Sequence, residues 1–258
     1  MSQIRPQGFR ILPPVVKNLL IINGVFFLAT IALGKYDYDL ADILGLHYFG
    51  SEKFKPYQLV TYMFMHGGFS HIFFNMFALW MFGNAIENIW GAKRFLIYYL
   101  ITGFGAALLH YGIFYLENKA LIDAFNNYIT NPYVDETQRN LVAMINPVLN
   151  HPITPEGLSV EFAERIKMSF LNQPVVIGAS GAVFGILLAF GMMFPNSLLY
   201  LYFAIPIKAK YFVILYGLAE LWFGVSNMGS GNIAHFAHVG GMIFGFLLLK
   251  YWNIKRLN

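Results

Sequence analysis

Apolar residues along this chain fall into long runs separated by shorter polar stretches, not into alternation with polar ones. A helix that crosses a bilayer needs about 20 predominantly apolar residues. Six segments have that character: 18–34, 71–90, 95–116, 175–194, 205–225 and 235–252. The fifth run reaches back to about 198, but Pro206 is expected to delay its helical start.

The connections between these runs are unequal. Only "GAKR" joins the second and third. Segment 35–70 mixes aromatic residues with Asp37, Asp39, Asp42 and Glu52, and prolines and glycines punctuate it. It is too aromatic for a free linker and is expected to fold half-embedded at the membrane interface. Segment 117–173 is the one long polar stretch, with Glu117, Asp123, Asp135, Glu136, Glu156, Glu161 and Glu164. It is expected to be an extramembrane insertion with short amphipathic helices, such as "PEGLSVEFAERIKMSFL". There is no internal repeat and no low-complexity tract. The pattern predicts an all-α polytopic membrane protein: one domain over 1–258 with six transmembrane helices, an embedded first loop and a long polar loop between spans three and four.

Composition agrees. The 258 residues are 57% hydrophobic and 12% charged, against about 25% charged in soluble domains. Without cysteine, disulfides and thiolate chemistry are excluded. The net charge of +4 is not gathered into a patch, so no nucleic-acid partner is expected. Arg5, Arg10 and Lys17 precede the first run, as in a signal peptide. The five runs that follow favour an uncleaved span instead. With six spans, ten lysines and arginines share a side with both termini and seven fall on the other. Both termini are therefore expected in the cytoplasm, with 35–70 and 117–173 outside.

Polar residues inside apolar spans are costly and mark functional sites by default. The second span opens "HGGFSHIFFN", with His66, His71 and Asn75; the last two share a helical face. Interhelical hydrogen bonding is the plain alternative for these side chains. The fourth span opens "GASGAVFG" and the sixth "HFAHVGGMIFG". Gly181 with Gly185, and Gly241 with Gly245, form two faces on which a neighbouring backbone can come close. The fourth and sixth spans run in the same direction. Docking their glycine faces is expected to bring Ser180 and His238 together near the outward ends of their helices. A histidine placed there can take a serine proton. The N-terminus of the fourth helix offers unpaired N–H groups to a developing oxyanion, and His71 and Asn75 can add donors. Phe184, one turn after Ser180, can brace the imidazole or pack as ordinary core.

Two alternatives involve the remaining ionisable groups. His235 and His238 stand three apart, with His66 and His71 as further ligands for a metal. No carboxylate or cysteine neighbours them in sequence, so no metal is expected. Glu220 can orient His238 as the third member of a triad, or serve as a packing or gating residue near the outer leaflet.

The ordered set His-x4-His-x3-Asn, Gly-x-Ser-Gly and His-x2-Gly-x3-Gly, in the second, fourth and sixth spans, resembles the rhomboid intramembrane serine proteases. The resemblance covers roughly residues 15–252. It implies a Ser180–His238 dyad without an acidic partner, which favours packing or gating for Glu220. It also implies an oxyanion hole from the Ser180 N–H, His71 and Asn75, a loop shaped by Gly178 and Ala179, and a structural His66. Two family features are absent. Tyr57 and Gln58 stand where many members have Trp-Arg, and Glu87, Asn88 and Ile89 where many have Glu-x-Arg. Both positions are usually structural. The implied function is cleavage of transmembrane segments without cofactor or nucleotide, in a cell membrane and most naturally a bacterial inner membrane. A non-proteolytic rhomboid-like chaperone or adaptor would lack the dyad. A small-solute transporter would carry an internal repeat.

Overall fold

The computed structural model describes residues 10–149, 151–173, 175–201, 204–226 and 232–256. Arg5, counted above in the charge bias, lies outside the described residues. The chain divides into two compact units. The first comprises Met1–Leu46, Pro56–His110 and Val176–Asn258, and the second His47–Lys55 and Tyr111–Val175.

Each expected span overlaps an apolar helix. Helix α1 is Pro14–Gly34, α2 Phe69–Trp90 and α3 Ala92–Thr130, and these three are long and apolar enough to cross a membrane. In the second unit α4 is Asp135–Ile145 and α5 Val160–Asn172. The first unit resumes with α6, Ser180–Met193, then α7, Ala209–Val225, and α8, Asn232–Tyr251.

Several boundaries differ from the expectation. The fourth helix starts at Ser180, not 175, because Gly178 takes φ +123°, outside the helical range. Its 14 residues rise about 21 Å, short of a hydrocarbon core of about 30 Å. Residues 205–208 are not helical. They form strand β2, Ile205–Lys208, which pairs antiparallel with β1, Leu198–Leu201. The hairpin places Pro206 opposite Tyr200, and the helix begins only at Ala209. Helix α3 does not stop at 116 but runs unbroken to Thr130, about 58 Å over its 39 residues.

Helix α6 is the centre of the first unit. Ten of its 14 residues are buried, in accord with a helix that is apolar all round. Helix α1 buries only Val16, Leu19 and Asn23, and exposes Ile21, Val25 and Leu28. Such an outer surface suits lipid. Between lipid-solvated helices, close contact comes from small residues and hydrogen bonds, since apolar surface alone gives no preference for protein over lipid. The Tyr98 hydroxyl donates to the Gly185 carbonyl at 2.8 Å, and the Tyr62 hydroxyl to the Gly103 carbonyl at 2.7 Å.

Glu87 supplies another such link. Its two carboxylate oxygens accept from the Val15 and Val16 amides at 2.9 and 2.8 Å. These are orphan donors of the first turn of α1, at the positive end of the helix dipole. Asn88 and Arg10 exchange a reciprocal pair of side chain–backbone bonds, each 2.9 Å. The acid near the end of the second span thus caps the first.

The second unit has its own small core: Phe125, Tyr128, Leu141, Val142, Ile145, Leu158 and Ala163. Helices α4 and α5 are amphipathic, as the polar insertion predicts. Ser159 caps α5 by accepting from the Phe162 amide at 3.2 Å. Ser51 and Asn172 pair at 2.5 Å, and the Tyr111 hydroxyl donates to the His47 carbonyl.

Candidate active site

The first turn of α6 presents Ser180. The Gly178 amide donates to the Tyr62 carbonyl at 2.9 Å, and Ala179 occupies the N-cap position without a side-chain cap. At Gly178 the positive φ strains any other residue, and an added Cβ would stand 2.7 Å from His71 Nε2. The backbone must therefore be bare there for His71 to approach the loop. The N–H groups of the first turn, beginning with Ser180, have no partner within the helix.

Helix α8 comes in against α6 at Gly241. A Cβ on Gly241 would stand 1.8 Å from the Gly181 carbonyl oxygen, so the two backbones touch. With that contact in place, His238 Nε2 lies 2.9 Å from Ser180 Oγ. The Phe184 ring stacks on the His238 imidazole at 4.3 Å and 7°, and packs against Tyr216 on its other contacts at 4.9 Å.

The second pair of glycines is arranged differently from the expectation. Gly185 and Gly245 do not face each other; both face α3. A Cβ on Gly185 would meet Thr102 at 2.6 Å, and one on Gly245 would meet the Tyr98 hydroxyl at 2.4 Å. The Ala106 methyl likewise crowds Gly181. Helix α3 thus packs against glycines of both α6 and α8. Sequence spacing displayed the two faces but not the third helix that fills them.

His71 and Asn75 lie on α2. His71 Nδ1 accepts from the Gly67 amide at a long 3.4 Å, which leaves the proton on Nε2, the nitrogen beside Gly178. Asn75 is buried and its amide donates to the His71 carbonyl at 2.9 Å. His66 is buried and sits edge-on to His71, with ring centres 4.9 Å apart.

No carboxylate is near the α8 histidines in sequence, but Glu220 of α7 reaches both in space. Its Oε2 lies 2.8 Å from His238 Nδ1 and 2.7 Å from His235 Nδ1. The Glu220 side chain is 7% exposed, those of His238 and His235 20% and 32%. His235, named from the sequence only as a candidate metal ligand, is a neighbour of the site through Glu220. Its signal was its place one turn before His238, facing the same way.

The three ligand atoms of Glu220, His235 and His238 lie within 4.8 Å of one another. Two histidines and a glutamate form a zinc-type donor set. Ligands bound to one zinc at its usual bond lengths stand about 3.3 Å apart. The shorter contacts here have hydrogen-bond lengths, and the other nitrogen of His238 is directed at Ser180.

Comparison with known proteins follows the same outline. A family model described as "Rhomboid domain" matches residues 53–122 and 157–252. An uncharacterized mitochondrial rhomboid protein of Schizosaccharomyces pombe is 26% identical over 92% of this chain and 64% of its own length. The rhomboid protease GluP of Bacillus subtilis is 25% identical over 74% of this chain and 25% of its own. YdcA of the same bacterium, provisionally named a rhomboid protease, is 24% identical over 94% and 90%. The chain thus spans less than two thirds of the first two relatives and most of the third. With the model matching well over half of its residues, this integral membrane protein belongs to the rhomboid family.

Proposed function

We propose that the chain is an intramembrane serine endopeptidase with Ser180 as nucleophile and His238 as general base. The observation that carries the reading is the 2.9 Å contact between His238 Nε2 and Ser180 Oγ, at the N-terminus of a buried helix. The family membership and the relatives named as proteases support it.

The substrate is a transmembrane segment that enters from the bilayer and unwinds locally. Unwinding exposes a carbonyl otherwise held in helical hydrogen bonding. Ser180 Oγ attacks the carbonyl carbon as its proton passes to His238 Nε2. The developing oxyanion is met by the Ser180 N–H, the His71 Nε2–H and the Asn75 amide. His238 gives the proton to the leaving amine as the peptide bond breaks, leaving an acyl-enzyme. A water then attacks the ester, with His238 again as base, and Ser180 is released. Gly178 and Ala179 shape the loop, and His66, Phe184, Gly181, Gly241 and Gly245 hold the framework.

All six apolar helices cross the membrane in this reading, with both termini on the cytoplasmic side or its equivalent. The relatives come from mitochondria as well as from a bacterium, so they do not point to a bacterial inner membrane. A non-proteolytic adaptor has no need of the Ser180–His238 contact, and a transporter has no need of a serine on an imidazole.

The test is labelling of the membrane-embedded protein by a fluorophosphonate probe. Covalent modification of Ser180, lost in Ser180→Ala, is expected. An unlabelled protein that still binds lipid and retains its helicity sinks the protease reading.

A further inference from the structure

Glu220 is a buried acid in the middle of an apolar helix, and the dyad mechanism gives it no task. A charge in such a place is retained only with partners. Among the described residues its hydrogen-bond partners are two imidazoles, His235 Nδ1 and His238 Nδ1, both on Oε2. A carboxylate oxygen only accepts, so each Nδ1 carries its hydrogen. For His238 this settles the tautomer: with Nδ1 protonated, Nε2 presents a lone pair to the Ser180 hydroxyl.

From this geometry we infer that Glu220 is a positioning residue of the reaction, an orienting acid that turns the Ser180–His238 pair into a triad. The inference rests on the protease reading above. Three physical effects follow from the contacts. Glu220 holds the proton on Nδ1, so that Nε2 is free to act as base. It also fixes the ring plane, jointly with the Phe184 stack on one face. When the Ser180 proton arrives on Nε2, the imidazolium forms 2.8 Å from a buried carboxylate. That interaction strengthens as charge develops, which is what lowers a barrier. No proton needs to move to Glu220; it stays ionised through the cycle, as the acid of a serine-protease triad does.

His235 completes the arrangement. It comes from the same helix as His238, one turn earlier, and lies on the same oxygen. The acid is thereby held from two points on α8, so its rotamer is set by the helix whose histidine it orients. Tyr216, one turn before Glu220 on α7, lies against Phe184 and closes the packed side of the group.

The experiment compares wild type with Glu220→Gln, which keeps size and shape but removes the charge. In a Ser–His–Asp triad, replacing the acid with its amide costs about 10⁴ in kcat. A fall in kcat of at least about 10²-fold with KM unchanged is expected here. Partial recovery is expected in Glu220→Asp. A second measurement does not depend on turnover: ¹⁵N NMR of the labelled histidines should show His238 protonated on Nδ1 in wild type. Loss of that tautomer is expected in Glu220→Ala. Equal kcat in wild type and Glu220→Gln overturns the inference, as does a wild-type His238 protonated on Nε2. Activity that rises when wild type is treated with a chelator also overturns it, since a metal would then join the three groups. If fluorophosphonate labels wild type and Glu220→Gln equally, only the role of Glu220 fails. If it labels neither, the protease reading itself has failed.

Discussion

Gly241 and Gly181 are in backbone contact: a single methyl on Gly241 would overlap the Gly181 carbonyl oxygen at 1.8 Å. One turn before Gly241 and one residue before Gly181 stand His238 and Ser180. Helix-to-helix distance at the glycines therefore sets the distance between the imidazole and the hydroxyl. Gly241→Ala must push α8 away from α6. Overpacking of this kind costs about 1–3 kcal/mol, and a 1 Å misplacement of reacting groups can cost about 10² in rate. The variant should be less heat-stable in detergent and should lose fluorophosphonate labelling by about that factor. Normal labelling in Gly241→Ala would show that the contact does not set the geometry. Gly181→Leu, whose side chain would drive into Ala106, should be inactive as well.

Ser180→Ala and His238→Ala should each abolish cleavage of a transmembrane substrate while leaving insertion and helicity intact. The two changes should not add, because neither group acts without the other. Cleavage measured in proteoliposomes decides the matter, and residual turnover near wild type in either variant ends the mechanism.

His71 Nε2 lies beside Gly178, in the loop that leads into Ser180. Losing one oxyanion donor costs about 10²–10³ in kcat. His71→Ala should show a loss of that size in kcat, with KM little changed. Asn75→Ala should be no worse, because part of its hydrogen-bonding capacity is already spent on the His71 carbonyl. A change confined to KM would instead make both residues substrate contacts.

Glu87 tests stability rather than chemistry. The residue is 2% exposed, and its carboxylate holds two amides of the first turn of α1. Charge-assisted hydrogen bonds are worth about 1.5–3 kcal/mol each, and loss of a buried partner leaves donors unpaired. Glu87→Ala should lower the unfolding midpoint in detergent by an amount equivalent to about 3 kcal/mol. At low temperature the folded fraction should keep its full activity. An unchanged midpoint would mean that water replaces the carboxylate at no cost.

Much of the architecture was legible in the chain. Each apolar run marked the place of an apolar helix, since long segments with so few charges have few other solvents. The insertion announced itself by its acids, and the amphipathic stretch quoted from Pro155 onward contains α5, which starts at Val160. Helix ends were less legible. Residues 175–179 read as part of the fourth span because valine and isoleucine look the same in a helix or an extended segment. Only the conformation of Gly178 separates the two. Residues 205–208 read as helical for the same reason, and their strand pairing depends on Leu198–Leu201. Glu87 was visible as an acid near a helix end, but its partners are more than 70 positions away in the chain.

What the sequence by itself determined is local and chemical: which segments prefer lipid, which helix faces admit close approach, and which polar groups pay to be buried. Those follow from periodicity and solvation, which a single segment already possesses. The tertiary structure alone decided which further groups meet. It placed Tyr98 and Thr102 against Gly245 and Gly185, and brought Glu220 to two histidines at once, whereas the Ser180–His238 meeting was already foreshadowed by the glycine faces. Such meetings depend on the packing of three or more helices, and a few ångströms of helix position separate a hydrogen bond from no contact. No pattern along one chain direction carries that information.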